Sequence, residues 1–117
     1  MLNVKEKTQA IVAALEDIKA QDIEVIDTHQ FNSLFQAMVI ASAQSTRQTK
    51  ALADHVEEQL KARGETVYGV EGGDSGEWVL VDMGDVIVHI MQPAVRAYYN
   101  LEELWGVHPK ARAPAGK

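Results

Sequence analysis

The feature that most constrains this chain is the run Trp78-Val-Leu-Val-Asp-Met-Gly-Asp-Val-Ile-Val-His-Ile-Met91. Two segments rich in β-branched residues, Trp78 to Asp82 and Asp85 to Met91, are separated by Met83-Gly84. That spacing predicts a tight antiparallel hairpin with Gly84 at positive φ. Pairing Asp82 with Asp85 sorts the side chains by parity. Trp78, Leu80 and Asp82 then share one face with Ile87 and His89, and Val79 and Val81 share the other with Val86 and Val88. The all-valine face is expected to meet helices. The face with Trp78, Asp82 and His89 is mixed, as a partly open or partner-covered surface is.

The flanking segments predict what packs on the hairpin. Val4, Ile11, Leu15 and Ile18 recur at helical spacing, with Lys5, Glu6, Lys7, Glu16 and Asp17 on the other faces. Asn3 followed by Glu6 reads as a capping box. Ile23 to Thr28 alternates and is rich in β-branched residues, which predicts a strand. A polar loop with His29, Gln30 and Asn32 follows. The short apolar run Ala37 to Ala41 predicts a strand buried on both faces. A second helix opens near Ser45, where Ser45 and Gln48 fit another capping box. Its buried stripe is Leu52, Val56 and Leu60, and Gly64 is its stop. Thr66 to Val70 is expected to be a short strand, and Glu71 to Glu77 a loop. Pro93 suits the start of a short helix carrying Arg96, Tyr98 and Tyr99. Asn100 with Glu103 fits a cap for a further turn, Leu101 to Trp105, closed by Gly106.

This order, αββαβββ, predicts a single mixed α/β (α+β) domain over residues 1–106. The Pro-, Ala-, Gly- and base-rich residues 107–117 are expected to form a flexible basic tail. The length of 117 residues suits one core, and 46% hydrophobic with 24% charged residues is the usual mix of a globular chain. The absence of cysteine removes disulfides, thiolate metal sites and a cysteine nucleophile. No apolar run approaches a membrane span, and Met1 to Ala10 lacks the apolar stretch of a signal peptide. The expected compartment is the cytoplasm.

The net charge is −6, unevenly spread. Residues 65–105 hold eight acids (Glu65, Glu71, Asp74, Glu77, Asp82, Asp85, Glu102 and Glu103) and one base, Arg96. Phosphate backbones repel such a surface, so that region is a poor direct binder of nucleic acid. A basic protein partner suits it better. Four of the seven aromatics, Trp78, Tyr98, Tyr99 and Trp105, fall within residues 78–105. Trp and Tyr are favoured interface anchors, though they are ordinary core residues too.

Catalytic readings are weaker. The histidines His29, His55, His89 and His108 show no metal-ligand spacing, and no metal or other cofactor is expected. His55 reads as a boundary residue of the second helix, and His89 is placed to stack on Trp78. The loop Gly72-Gly-Asp-Ser-Gly76 carries acid, not lysine, and leads into a strand, so a mobile loop explains it better than a phosphate cradle. Asp82 and Asp85 flank a tight turn, where Asp is common for conformational reasons. Ser45 and Thr46 are better explained as caps than as nucleophiles.

Three segments together closely resemble the ribosomal silencing factor, or iojap-related, family. They are Ser45-Thr-Arg-Gln-Thr-Lys-Ala-Leu-Ala-Asp-His-Val56, the Trp78–Met91 run, and Arg96-Ala-Tyr-Tyr-Asn-Leu-Glu-Glu-Leu-Trp105. The resemblance covers about residues 4–106. It implies a nucleotidyltransferase-like fold, a mixed sheet of about five strands packed against helices. It also implies a non-enzymatic translation factor that binds the large ribosomal subunit through ribosomal protein uL-fourteen. Occupying that surface blocks joining of the small subunit and lowers translation in starvation or stationary phase. The Gly-Ser turn and Asp-x-Asp of the enzymes with this fold are missing, since Asp82 and Asp85 are three apart.

Carried over by position, the partner-contacting residues are Trp78, Asp82, His89, Tyr98, Tyr99, Leu101, Glu102 and Trp105. Leu101 and Trp105, four apart, are the expected core members among them. Met91-Gln92 stands where an aromatic is common in the family. Direct contact of the basic tail with rRNA is expected to be minor or absent, because three bases confer little affinity. The rival functions are a nucleotide-binding or nucleotidyltransferase-like enzyme and a homodimer built on the same apolar face. On the silencing reading, Trp78→Ala and Tyr98→Ala are expected to abolish ribosome binding and leave the fold intact.

Overall fold

A computed structural model of the chain describes residues 2–28 and 35–101. Its elements are α1 (Val4–Asp17), β1 (Gln21–Asp27), β2 (Ala37–Ser42), α2 (Thr46–Ala62), β3 (Gly69–Glu71), β4 (Trp78–Asp82), β5 (Val86–Met91) and α3 (Pro93–Tyr99). The five strands form one sheet in the order β1-β2-β5-β4-β3. The central pair β2–β5 is parallel and the other three pairs are antiparallel. This is the single α/β domain that the pattern predicted, with the five-stranded mixed sheet that the family resemblance implied.

Parity builds the core. Val79, Val81, Val86, Val88 and Ile90 point to the face covered by α1 and α2, where they meet Ile11, Leu15, Leu52, Val56 and Leu60. Burying each such side chain contributes roughly 2 kcal/mol. The opposite face holds a smaller cluster, Ile26, Met38, Ile40 and Met91, with Phe35, Trp78, Val95 and Leu101 packed against it. Every residue of β2 is buried, because helices or apolar side chains lie on both of its faces.

The hairpin register differs from expectation by two residues. Asp82 faces Ile87, Leu80 faces His89 and Trp78 faces Met91. The connection is therefore Gly84-Asp85, closed by the Met83 amide donating to the Val86 carbonyl at 3.0 Å. Gly84 takes φ +87° as the first of these two residues. A slip of two preserves parity, so both faces keep the predicted residues. The strand expected at Thr66–Val70 is instead Gly69–Glu71, because β4 ends at Asp82 and leaves no rung for residues before Tyr68.

The helix ends follow local chemistry. Asn3 and Glu6 form the full capping box of α1. At α2, Ser45 accepts from the Gln48 amide, but the Gln48 side chain accepts from the Gln44 amide, one residue before the cap, so the box is only half made. Gly64, at φ +86°, ends α2 in a Schellman turn. The Gly64 amide donates to the Lys61 carbonyl and the Glu65 amide to the Leu60 carbonyl, each at 3.0 Å. That reversal aims the Glu65 carboxylate at α1, where it accepts from the Leu2 amide at 2.8 Å.

Lys7, expected on the polar side of α1, is buried. Its Nζ lies 3.1 Å from Glu65 and 2.6 Å from Asp85. Lys7 is four residues before Ile11 and so shares the buried stripe. No local signal marked it as ion-paired, because both partners are far along the chain.

Candidate functional site

The site grows from the sheet face that α1 and α2 leave open. Trp78 opens β4, and its indole is half-buried at the edge of the smaller cluster. Its Nε1–H donates to Nδ1 of His89 on β5 at 2.9 Å. The two residues are diagonal cross-strand neighbours, a separation that aromatic side chains can span. The rings are tilted by 50° with centroids 5.8 Å apart, so the expected stacking is replaced by a hydrogen bond between inclined rings. His89 is 7% exposed, and burial pushes its pKa down to about 4. The ring is neutral near pH 7, and with Nδ1 accepting, its proton resides on Nε2.

Helix α3 brings two tyrosines to this edge. Gln92 precedes Pro93, whose fixed φ suits the first turn. The helix ends at Asn100, in the left-handed conformation at φ 48°, its amide donating to the Arg96 carbonyl at 2.8 Å. The Tyr99 ring lies 4.8 Å from Trp78 at a 51° tilt, and Tyr98 meets Tyr99 edge-on at 5.0 Å. Tyr98 is 82% exposed and Tyr99 53%. A buried imidazole, a half-buried indole and two exposed phenols thus form one continuous aromatic step from sheet to solvent.

Two groups that sequence reasoning passed over hold the step in place. Arg96 is buried beneath α3, and its Nη1 donates to the Asp22 carbonyl at 2.6 Å and to Ser42 Oγ at 2.8 Å. It pins α3 to β1 and β2. Gln92 donates from Nε2 to Thr46 Oγ1 at 3.2 Å and to the Gly76 carbonyl at 3.3 Å, joining α3, α2 and the loop before β4. A lone arginine in an acidic stretch was the only available hint of the first, and nothing hinted at the second.

The remaining predicted residues divide. Asp82 lies on the same face as Trp78, four residues along β4, about 13 Å away at the usual strand rise. Its Oδ1 accepts from the Gly84 amide at 2.9 Å. Leu101 packs on the smaller apolar cluster. Glu102, Trp105, the further turn expected there and the basic tail lie outside the described residues, as do His29 and His108. Across β5, β4 and β3, Ile87, Leu80 and Glu71 extend this face. Among residues 65–101 the one cation is the buried Arg96, so the acids on this side have no surface base from their own stretch.

Asp82 and Asp85 do not act as a carboxylate pair. Asp82 holds the turn, and Asp85 holds Lys7. His55 forms a contact with Asp17 at 3.1 Å on the far side of the sheet. Among the described residues no three His, Cys, Asp or Glu side chains cluster as metal ligands, and no helix is long and apolar enough to cross a membrane.

Fold and site define a small mixed α/β domain that presents an aromatic, acid-flanked edge. A family model described as "Ribosomal silencing factor during starvation" matches residues 2–116. A ribosomal silencing factor of Chromobacterium violaceum is 52% identical over 105 residues, covering 90% of this chain and 86% of that one. A crystal structure of a protein from the same organism superposes with a TM-score of 0.90 at 51% identity, covering 92% of this chain and 89% of that one. A mouse protein named for mitochondrial assembly of the ribosomal large subunit is 32% identical over 107 residues, 89% of this chain and 47% of its own length. The chain belongs to the ribosomal silencing factor family.

Proposed function

We propose that this protein binds the large ribosomal subunit through ribosomal protein uL-fourteen and blocks joining of the small subunit, repressing translation when nutrients fail. The observation that carries this reading is the Tyr98–Tyr99–Trp78 edge, with both tyrosines exposed, beside the sheet face opposite α1 and α2 that carries Asp82 and Glu71. Tyrosine and tryptophan supply rigid area with a polar rim, which is what a docking anchor needs. The acids of this face, Asp82 and Glu71, favour a basic protein surface and disfavour rRNA. The names borne by the relatives, a silencing factor and a large-subunit assembly protein, agree with a ribosomal partner.

The mechanism is competition for a surface, so it requires no covalent chemistry and acts in the cytoplasm where subunits join. Asp82 and Asp85, the one candidate carboxylate pair of the sequence, are engaged by the turn and by Lys7, and no observation favours the nucleotide-handling alternative. A homodimer of the free protein through the same edge would compete with docking. Sucrose-gradient co-sedimentation with purified subunits tests the proposal. Association with the large subunit and loss of subunit joining are expected. Failure to associate with either subunit overturns it.

A further inference from the structure

His89 was expected among the partner-contacting residues, yet at 7% exposure it offers a partner almost no surface. We infer that His89 is a positioning residue, whose Nδ1 holds the Trp78 indole in the orientation that supports Tyr99 and Tyr98 for docking. The inference rests on the reading of that aromatic edge as the docking surface.

The geometry supports it in three steps. Indole has a single donor and no acceptor, so a half-buried Trp78 points its N–H toward whatever acceptor its surroundings supply. The acceptor present is Nδ1 of His89, at 2.9 Å. His89 itself has little freedom, because β5 is hydrogen-bonded to β2 on one side and to β4 on the other, with Ile40 and Leu80 as its cross-strand partners. A protonated imidazole could not accept, and burial keeps this ring neutral far below physiological pH. The Tyr99 ring then packs on the oriented indole, and Tyr98 on Tyr99. A residue buried in the sheet thereby sets the angle of two exposed rings in a helix.

The test uses His89→Leu, which removes the acceptor, and His89→Asn, whose amide oxygen stands where Nδ1 stood. Trp78→Phe keeps a ring and removes the donor. Binding is read by co-sedimentation with large ribosomal subunits, and ring placement by the Trp78 indole N–H resonance, assigned by its loss in Trp78→Phe. Losing one such hydrogen bond predicts about five- to tenfold weaker binding for His89→Leu and for Trp78→Phe. His89→Asn is expected to restore binding to within about twofold, a rescue that a merely structural role would not give. In the double variant Trp78→Phe/His89→Leu the two losses should not add. If His89→Leu fails to fold, Trp78→Phe carries the test without altering β5. Wild-type binding by Trp78→Phe, or an unmoved indole resonance in His89→Leu, overturns the inference. Wild-type binding by Tyr98→Ala overturns the docking reading and the inference with it.

Discussion

Lys7 Nζ lies 2.6 Å from the Asp85 carboxylate, tying the first helix to the hairpin turn across 78 residues of sequence. The same ammonium reaches Glu65 at 3.1 Å, so one buried cation joins α1, the end of α2 and the β4–β5 turn. The Asp85 carbonyl in turn accepts the Gln36 and Ala37 amides at the start of β2. Burial works against the Lys7 charge, but the hydrogen bonds that its ammonium donates to Asp85 and Glu65, with their negative charges, outweigh it and hold its pKa above the ordinary value.

Lys7→Met should therefore destabilise the fold strongly. Removing one partner leaves a buried carboxylate at Glu65 uncompensated, at a cost of about 3 kcal/mol. Replacing Lys7 and Glu65 together by Met and Leu should recover most of that loss, because apolar packing substitutes well for a buried pair. Urea denaturation of the three proteins checks this. Equal stability of Lys7→Met and the parent would show that the triad contributes nothing.

Acid should weaken the protein in a defined window. His89 titrates at about 4 in the fold against 6.5 for an ordinary histidine. Between those values the unfolded chain binds a proton that the native state refuses. Stability is thus full above pH 6.5, falls as pH drops toward 4 and levels off below, a change of about 3 kcal/mol. Glu65 acts in the same direction. The Leu2 amide, with Lys7, holds its pKa below 4.5, and its stabilisation is lost as pH falls under that value. Melting temperature against pH should show the upper part of this slope flattened in His89→Asn. An unchanged slope would assign it to other groups.

Tyr98→Ala and Trp78→Ala should separate docking from folding. Tyr98 is exposed, so its loss should change stability by no more than about 0.5 kcal/mol while ribosome binding falls. Trp78 packs on the smaller apolar cluster, so Trp78→Ala should also cost about 2–3 kcal/mol in stability, contrary to the expectation from sequence that the fold stays intact. Thermal melts alongside co-sedimentation decide it. Strong destabilisation by Tyr98→Ala would mean that its ring is structural.

Arg96→Met should release α3. It deletes charge-assisted bonds to the Asp22 carbonyl and Ser42 Oγ, worth about 2–3 kcal/mol together. Because α3 carries both tyrosines, docking should fail with it. Hydrogen exchange at residues 94–100 should accelerate more than in β2 or β5. Uniform acceleration would place Arg96 in the global core instead.

What the sequence by itself determined was whatever depends on near neighbours. Strand parity sorted valines from Trp78, Asp82 and His89, and it survived an error of two in register because side-chain direction repeats every two residues. Asn3, Ser45 and Gly64 marked helix ends through bonds within a few residues. The aromatic-rich acidic stretch marked where to look for a partner. Tertiary structure alone decided the buried polar links: Lys7 to Glu65 and Asp85, Arg96 to Asp22 and Ser42, and Gln92 to Thr46 and Gly76. It also turned His89 from a surface candidate into a buried acceptor for Trp78. Each of these pairs a residue with partners 11 to 78 positions away. Local periodicity shows that such a charge or ring lies on a given stripe. Only the packed sheet and helices supply the groups that make its burial affordable in free energy.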